Sequence, residues 1–273
     1  MPVDLDDGEW ETVVGTLRAG GCVFAEDECR LLVESAAGRV ELDALVKSRV
    51  AGSPLELVLG WADFGSLRLT VEPGVFVPRL RTRFLAQLAS EHLADGDIVI
   101  DLCCGAGPIG AALLQANAAI ELHATDLDEV AVRCAQKNLA AAIAERRAFV
   151  YQGDLDAPLP RRLARDVSML TANVPYVPSS EIPLLPSEAR DYEPLSALDG
   201  GADGLDLLRR VSLAAPHWLR PGGVLLIEIS DRQQETAIAA FRTAGLEPSV
   251  HQSEEFYSTV LVGRLKSSPR APA

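Results

Sequence analysis

The residues best suited to chemistry in this chain are Asn173, Val174, Pro175 and Tyr176. Asn173 offers an amide oxygen in a fixed direction, Val174 a backbone carbonyl, Pro175 a stiff turn with no N–H to donate, and Tyr176 a flat face. Two acceptors beside a flat face suit a planar –NH2 group. The apolar run from Val167 to Leu170 ahead of them reads as a buried strand, broken where Asn173, Pro175 and Pro178 preclude further pairing. That puts the polar groups at a strand's carboxyl end, where open α/β sheets hold their ligands. Taken alone, Asn-x-Pro-Tyr also occurs as ordinary turn chemistry, and the segments upstream are what favour a site.

Upstream, Asp97 to Gly110 reads as a strand, a turn carrying Gly105 and Gly107, and a helix starting near Pro108. The two glycines allow a ligand to approach the backbone closely, and the helix aims its first amides into the same crevice. Dinucleotide folds share such a turn. The next strand, Ile120 to Thr125, ends in Asp126, placed to take both hydroxyls of a ribose. Asp101, at the end of the first strand, adds a second carboxylate. Two carboxylates repel a pyrophosphate and suit a cationic sulfonium, so S-adenosylmethionine is expected rather than NAD, although Gly110 stands at the third glycine position. The candidate cofactor site takes Asp101, Cys103, Cys104, Gly105, Ala106 and Gly107 from the first turn and Asp126 with Leu127 from the second. A third strand, Ala148 to Leu155, contributes Asp154 and Leu155, and Asn173 is shared with the catalytic set. Asp154 is assigned either the adenine amino group or the cap of the following turn. Cys103 and Cys104 read as small packing residues, since no histidine lies nearby in sequence to activate a thiol.

Positioning these groups requires an alternation of strands and helices, and residues 78 to 264 carry it. Ahead of them, residues 9 to 52 show helical stripes, such as Trp10, Val13, Val14 and Leu17, with breaks at Gly20-Gly21 and Gly38. This small helical unit reads either as a scaffold cap or as a module that docks a macromolecular substrate. From Pro54 to Val77, Leu55, Leu57 and Leu59 alternate, as do Leu67, Leu69 and Val71, which predicts a hairpin. Arg79, Arg81 and Arg83 then read as the solvated start of a helix over Phe84 to Leu93, with cations near an active-site mouth as the alternative. Further helices are expected at Asp128 to Ala142, Leu205 to Ala215 and Gln233 to Ala244, with a buried strand at Val224 to Ile229. Pro248 to His251 and Tyr257 to Val262 form a candidate antiparallel pair. Ser179 to Ala202 is long and Pro-rich, which predicts an active-site loop, and residues 265 to 273 read as a disordered tail.

Composition narrows the partners. A formal net charge of −14 disfavours binding by phosphate neutralisation, which needs clustered Lys and Arg, so a nucleic-acid partner is not expected. No apolar run reaches membrane-spanning length, and the acidic start lacks an apolar leader segment, so the expected location is the cytoplasm, with no membrane partner. Five cysteines, odd in number and without metal-ligand spacing, fit free thiols in a reducing compartment and predict no metal site.

With these pieces in register, the chain resembles the HemK/PrmC family of protein-(glutamine-N5) methyltransferases over residues 52 to 264. The matches are Gly52-Ser53-Pro54-Leu55 with Leu59-Gly60, Pro73 with Val77-Pro78-Arg79, Asp101-Leu102 with Gly105 and Gly107, and Asn173-Val174-Pro175-Tyr176. Tyr192-Glu193-Pro194 with Ala197-Leu198, Gly200-Gly201 with Asp203-Gly204-Leu205, and Pro221-Gly222-Gly223 complete them. The resemblance implies an α/β architecture: a helical substrate-recognition domain over 1–53, a β-hairpin linker over 54–77, and a Rossmann-like seven-stranded S-adenosylmethionine-dependent methyltransferase domain over 78–264. It also implies a protein substrate, the glutamine of a Gly-Gly-Gln loop in peptide chain release factors. Two departures mark a divergent relative: Leu80-Arg81-Thr82-Arg83 stands where the family carries Pro-Glu-Thr and an acidic residue, and Val174 replaces a proline. Two rival readings carry their own expectations. An adenine-N6 methyltransferase acting on DNA or RNA requires a basic groove, and a non-catalytic binding scaffold tolerates a degraded cofactor turn.

Overall fold

The computed structural model describes residues 3–266. Three helices open the chain: α1 (Asp7–Ala19), α2 (Ala25–Ser35) and α3 (Arg39–Val50). A capping box starts the first, with the Asp6 carboxylate accepting from the Glu9 N–H and the Glu9 carboxylate from the Asp6 N–H. Their apolar stripes meet in a small core of Val14, Leu17, Cys29, Leu32, Leu42 and Val46.

Leu55–Leu59 forms a short helix, α4, and not the strand that its alternating leucines predict. The competing helical spacing wins because Leu55, Val58 and Leu59 all pack on the core of the first three helices. Pro54 precedes the helix, and the Gly60 N–H closes it on the Glu56 carbonyl at 2.8 Å. The hairpin is therefore shorter than expected, β1 (Trp61–Phe64) against β2 (Leu67–Thr70).

Beyond it the chain alternates α5 (Thr82–Ser90), β3 (Ile98–Leu102), α6 (Pro108–Ala116), β4 (Glu121–Asp126), α7 (Glu129–Asn138), α8 (Ala140–Ala144) and β5 (Ala148–Gln152). It continues with β6 (Val167–Ala172), α9 (Ser187–Tyr192), α10 (Asp206–Trp218), β7 (Leu219–Ile229), α11 (Gln234–Thr243), β8 (Leu246–Ser253) and β9 (Ser258–Leu265). Seven strands form one sheet in the order β5-β4-β3-β6-β7-β9-β8. The five from β5 to β7 are parallel, and β9 and β8 close the far edge antiparallel. Neighbouring residues on one strand enter opposite cores: Val99, Met169 and Val224 face α5 and α6, whereas Ile100, Leu170 and Leu225 face α10 and α11. Burial on both sides explains why these strands are mostly apolar rather than alternating.

Four expectations change in detail. The third strand ends at Gln152, so Asp154 lies beyond it. The fifth starts at Leu219, and Pro221-Gly222-Gly223 sits where its register against β6 jumps from Val167↔Leu219 to Met169↔Val224. The run 179–202 is a structured strap containing α9 and two short 3-10 turns, because its prolines start helical turns as readily as they break strands. Leu265 closes β9, so the expected tail cannot begin there, and residues 267–273 lie outside the described part of the chain.

Candidate active site

The sheet changes winding direction between β3 and β6, and a cavity of about 610 Å3 opens there at the carboxyl ends of the parallel strands. On one side lies the turn after β3. Here the Gly105 N–H donates to Asp126 Oδ2 at 2.8 Å and the Cys104 N–H to the Thr125 carbonyl at 2.9 Å, which fastens the turn to β4. A Cβ added at Gly105 would meet nothing within 4 Å, so this stretch presents bare backbone to the cavity. Gly107 differs. Its φ is +79°, and a Cβ there would approach Ala135 at 3.4 Å, so it serves the packing of the turn on α7 rather than an approach by ligand. Gly110 is a packing glycine too, with Leu122 2.6 Å from its missing Cβ.

The two carboxylates of the turn have different surroundings. Asp126 lines the cavity, is pushed up in pKa by burial, and accepts the N–H groups of Gly105 and Asp128. Asp101 is fully buried behind the turn, holding the Thr171 hydroxyl at 2.9 Å and the Gly110 N–H at 3.2 Å. Burial raises its pKa to about 7, so at neutral pH it is substantially protonated. It does not line the cavity, so of the two carboxylates expected to face a ligand only Asp126 does.

The remaining cofactor candidates are spread around the same cavity. Cys103, Cys104, Ala106, Leu127, Asp154 and Leu155 all line it. Burial pushes both thiols up, which leaves them as packing groups rather than nucleophiles. Asp154 is exposed and accepts from Arg210 at 2.7 Å through Oδ2, so Oδ1 is the oxygen left for a ligand.

Across the cavity, β6 delivers Asn173, Val174, Pro175 and Tyr176, all of which line it. Asn173 Nδ2 donates to Thr82 Oγ1 at 3.2 Å, which turns Oδ1 the other way. The sequence marks Thr82 only as part of the Leu80-Arg81-Thr82-Arg83 departure. Arg79 and Arg81 follow the alternative of cations near the site and line the cavity, where they reach buried glutamates: Arg79 Nη2 lies 2.6 Å from Glu193 Oε1, and Arg81 Nε 2.9 Å from Glu228 Oε1. Arg83 lies over the Phe256 ring instead. The sequence did carry a signal for this, a lone carboxylate in the apolar run Val224–Ile229, which a buried strand tolerates only with a partner.

The strap completes the cavity. Leu185, Pro186, Glu188 and Ala189 line it, while Glu188 also takes Arg49 Nη1 at 2.6 Å and the Tyr192 hydroxyl donates to the Ala51 carbonyl at 2.9 Å. One short helix thus touches both the N-terminal helices and the cavity. Among the described residues, no helix is long and apolar enough to cross a membrane.

The family model described as "Methyltransferase small domain" matches residues 66–177. A release factor glutamine methyltransferase of Streptomyces coelicolor is 38% identical over 193 residues, covering 69% of this chain and 67% of that protein. Another, from Moorella thermoacetica, is 36% identical over 225 residues, covering 80% and 77%. Among solved structures, the hMettl16 catalytic domain in complex with the MAT2A 3'UTR hairpin 6 superposes with a TM-score of 0.57 at 14% identity, covering 84% of each chain, a likeness of fold.

Proposed function

Because the chain belongs to the release factor glutamine methyltransferase family, we propose that it moves a methyl group from S-adenosylmethionine to the side-chain amide nitrogen (N5) of a glutamine in a peptide chain release factor. The observation that carries this reading is the Asn173 amide, held by Thr82 so that its oxygen is free for a substrate N–H. The residues around the first turn fit the cofactor: open backbone at Gly105, and a carboxylate at Asp126 with lone pairs left for two hydroxyls. When bound, the cofactor supplies an electrophilic methyl carried on a sulfonium.

The chain's part is orientation. A glutamine amide is a poor nucleophile because its lone pair is delocalised into the carbonyl. Asn173 Oδ1 and the Val174 carbonyl accept its two N–H bonds, the Tyr176 ring packs on its plane, and the lone pair is thereby aimed at the methyl. Positive charge growing on that nitrogen as it takes the methyl would be stabilised by the two acceptors. No strong base is needed, since the N–H proton becomes acidic during the transfer and leaves to solvent. The helices of residues 1–53 are assigned to docking the release factor, a role supported by the ties from Arg49 and Ala51 to the strap.

The test is incubation of the protein with labelled cofactor and a release factor, followed by mass spectrometry. One added methyl on the glutamine of the Gly-Gly-Gln loop is expected. Labelling of nucleic acid with none on protein overturns the reading, and an isolated loop peptide turned over as well as the whole factor removes the docking role. For the cofactor, Asp126→Ala deletes the ribose acceptor and unpins Gly105, so affinity should fall by about 1–3 kcal/mol, roughly 5- to 150-fold. Calorimetry giving unchanged affinity in the folded variant counts against this assignment.

A further inference from the structure

The helix α9 cannot hold its own place. Its 6 residues are too few for a helix to be stable alone, and none of them is buried, so no apolar face fastens it to the body of the protein. Yet it carries Glu188 and Ala189 and follows Leu185 and Pro186, all of which line the cavity. Among the described residues, the hydrogen bonds that leave α9 for parts of the chain outside the strap run to one place, the end of α3. Arg49 Nη1 donates to Glu188 Oε1 at 2.6 Å, and the Tyr192 hydroxyl donates to the Ala51 carbonyl at 2.9 Å.

Arg49 is held so that it can make this contact. Its guanidinium is a planar fork of N–H donors, and one edge is clamped on α2: Nε and Nη2 donate to the Glu28 carboxylate at 2.6 and 3.1 Å. Nη1 divides its protons between Glu188 and the Ser53 carbonyl, the latter at 3.0 Å. The Arg49 and Glu28 side chains are only 11% and 10% exposed. A buried ion pair of this kind is a weak source of stability. What it provides is direction, because a fork fixed on Glu28 aims Nη1 out of the helical unit at the strap.

We propose that Arg49 and Tyr192 are positioning residues: acting through Glu188 and the Ala51 carbonyl, they fix α9 and with it the cavity wall of Leu185, Pro186, Glu188 and Ala189. The helices of residues 1–53 then shape the site as well as dock a substrate. The far end of the strap is bonded to the segment after Asn173, with the Val177 N–H donating to the Leu198 carbonyl at 3.1 Å, so the wall stands on the substrate's side of the cavity. This rests on the reading that the substrate glutamine enters that cavity.

The test uses the full chain and a short peptide carrying the Gly-Gly-Gln loop, which lacks the surface that the helices would dock. Arg49→Lys keeps the charge that Glu28 needs but replaces the fork by a single ammonium, and Tyr192→Phe removes only the hydroxyl. Neither residue lines the cavity. In each variant KM for the peptide should rise about 3- to 10-fold, the loss of one hydrogen bond, with kcat and cofactor affinity within about 2-fold of wild type. In a Glu188→Ala background, Arg49→Lys should add less than about 2-fold, because its effect passes through a carboxylate that is no longer there. A peptide KM unmoved by both variants means that the helices only dock, and it overturns the proposal, as does an Arg49→Lys effect undiminished by Glu188→Ala. Hydrogen exchange gives a readout free of substrate. The amides of Ala189, Arg190 and Glu193, which close the turns of α9, should exchange about 3- to 10-fold faster in both variants while those of α1 hold. If α1 loosens in Arg49→Lys, Tyr192→Phe decides alone. Unmoved α9 amides overturn the proposal whatever the substrate, whereas faster exchange in a protein that leaves release factors unmethylated removes only the functional reading.

Discussion

Asn173→Ala should lower turnover by about 10²–10³ at saturating cofactor while leaving the fold and cofactor affinity close to wild type. The asparagine oxygen is one of two acceptors proposed to gain strength as positive charge develops on the substrate nitrogen, and losing a preorganised group of this kind typically costs that much in kcat. Cofactor affinity should be spared because the Gly105 turn and Asp126 are fastened to each other and not to Asn173. Val174→Pro is the companion variant. It keeps the backbone carbonyl, and a residue before Pro175 is already biased toward the extended conformation that a proline also accepts. Its loss should be far smaller than that of Asn173→Ala. Steady-state kinetics that rank the two variants the other way would show that the two-acceptor picture is wrong.

How much of this was legible in the sequence depended on how local each feature is. Strand ends were readable because Asn173 and Asp126 each follow a segment that reads as a strand, and the structure gathers them with Gly105 around one cavity. Asp101 looked equivalent to Asp126 in the same reading. Its direction is set by strand pleating and by Thr171 on the neighbouring strand, neither of which lies near it in sequence. The same limit hid the Arg79–Glu193 and Arg81–Glu228 pairs, whose partners are more than a hundred residues apart. Leu55, Leu57 and Leu59 failed for a different reason: five residues fit both the strand and the helix period, and only packing on the N-terminal core decides between them.

Gly204→Ala should be the most damaging single methyl in the chain, although Gly204 is not among the residues proposed to touch substrate. The block Gly200 to Gly204 braces the segment that follows Asn173: the Gly200 N–H donates to the Val177 carbonyl at 2.9 Å, and the Ser179 N–H to the Gly201 carbonyl at 2.9 Å. Gly204 itself has φ +75°, and a Cβ there would sit 2.2 Å from the Tyr176 carbonyl oxygen and 2.5 Å from Gln233 Nε2. That nitrogen donates to the same Tyr176 carbonyl at 2.9 Å, so the added methyl would strike both the backbone of Tyr176 and the side chain that anchors it. Backbone strain accounts for roughly 1 kcal/mol and overpacking for about 1–3 kcal/mol more. Gly245→Ala separates the two, since Gly245 has φ +79° with nothing within 4 Å of the added atom. It should carry the strain cost alone and keep its turnover. Gly204→Ala should melt several degrees lower than Gly245→Ala and lose most of its turnover, because Tyr176 is forced off the face it shares with Asn173. Equal melting temperatures for the two variants would mean that Tyr176 yields freely to the methyl, and that the Gly-Gly-x-Asp-Gly block does not hold the site in place.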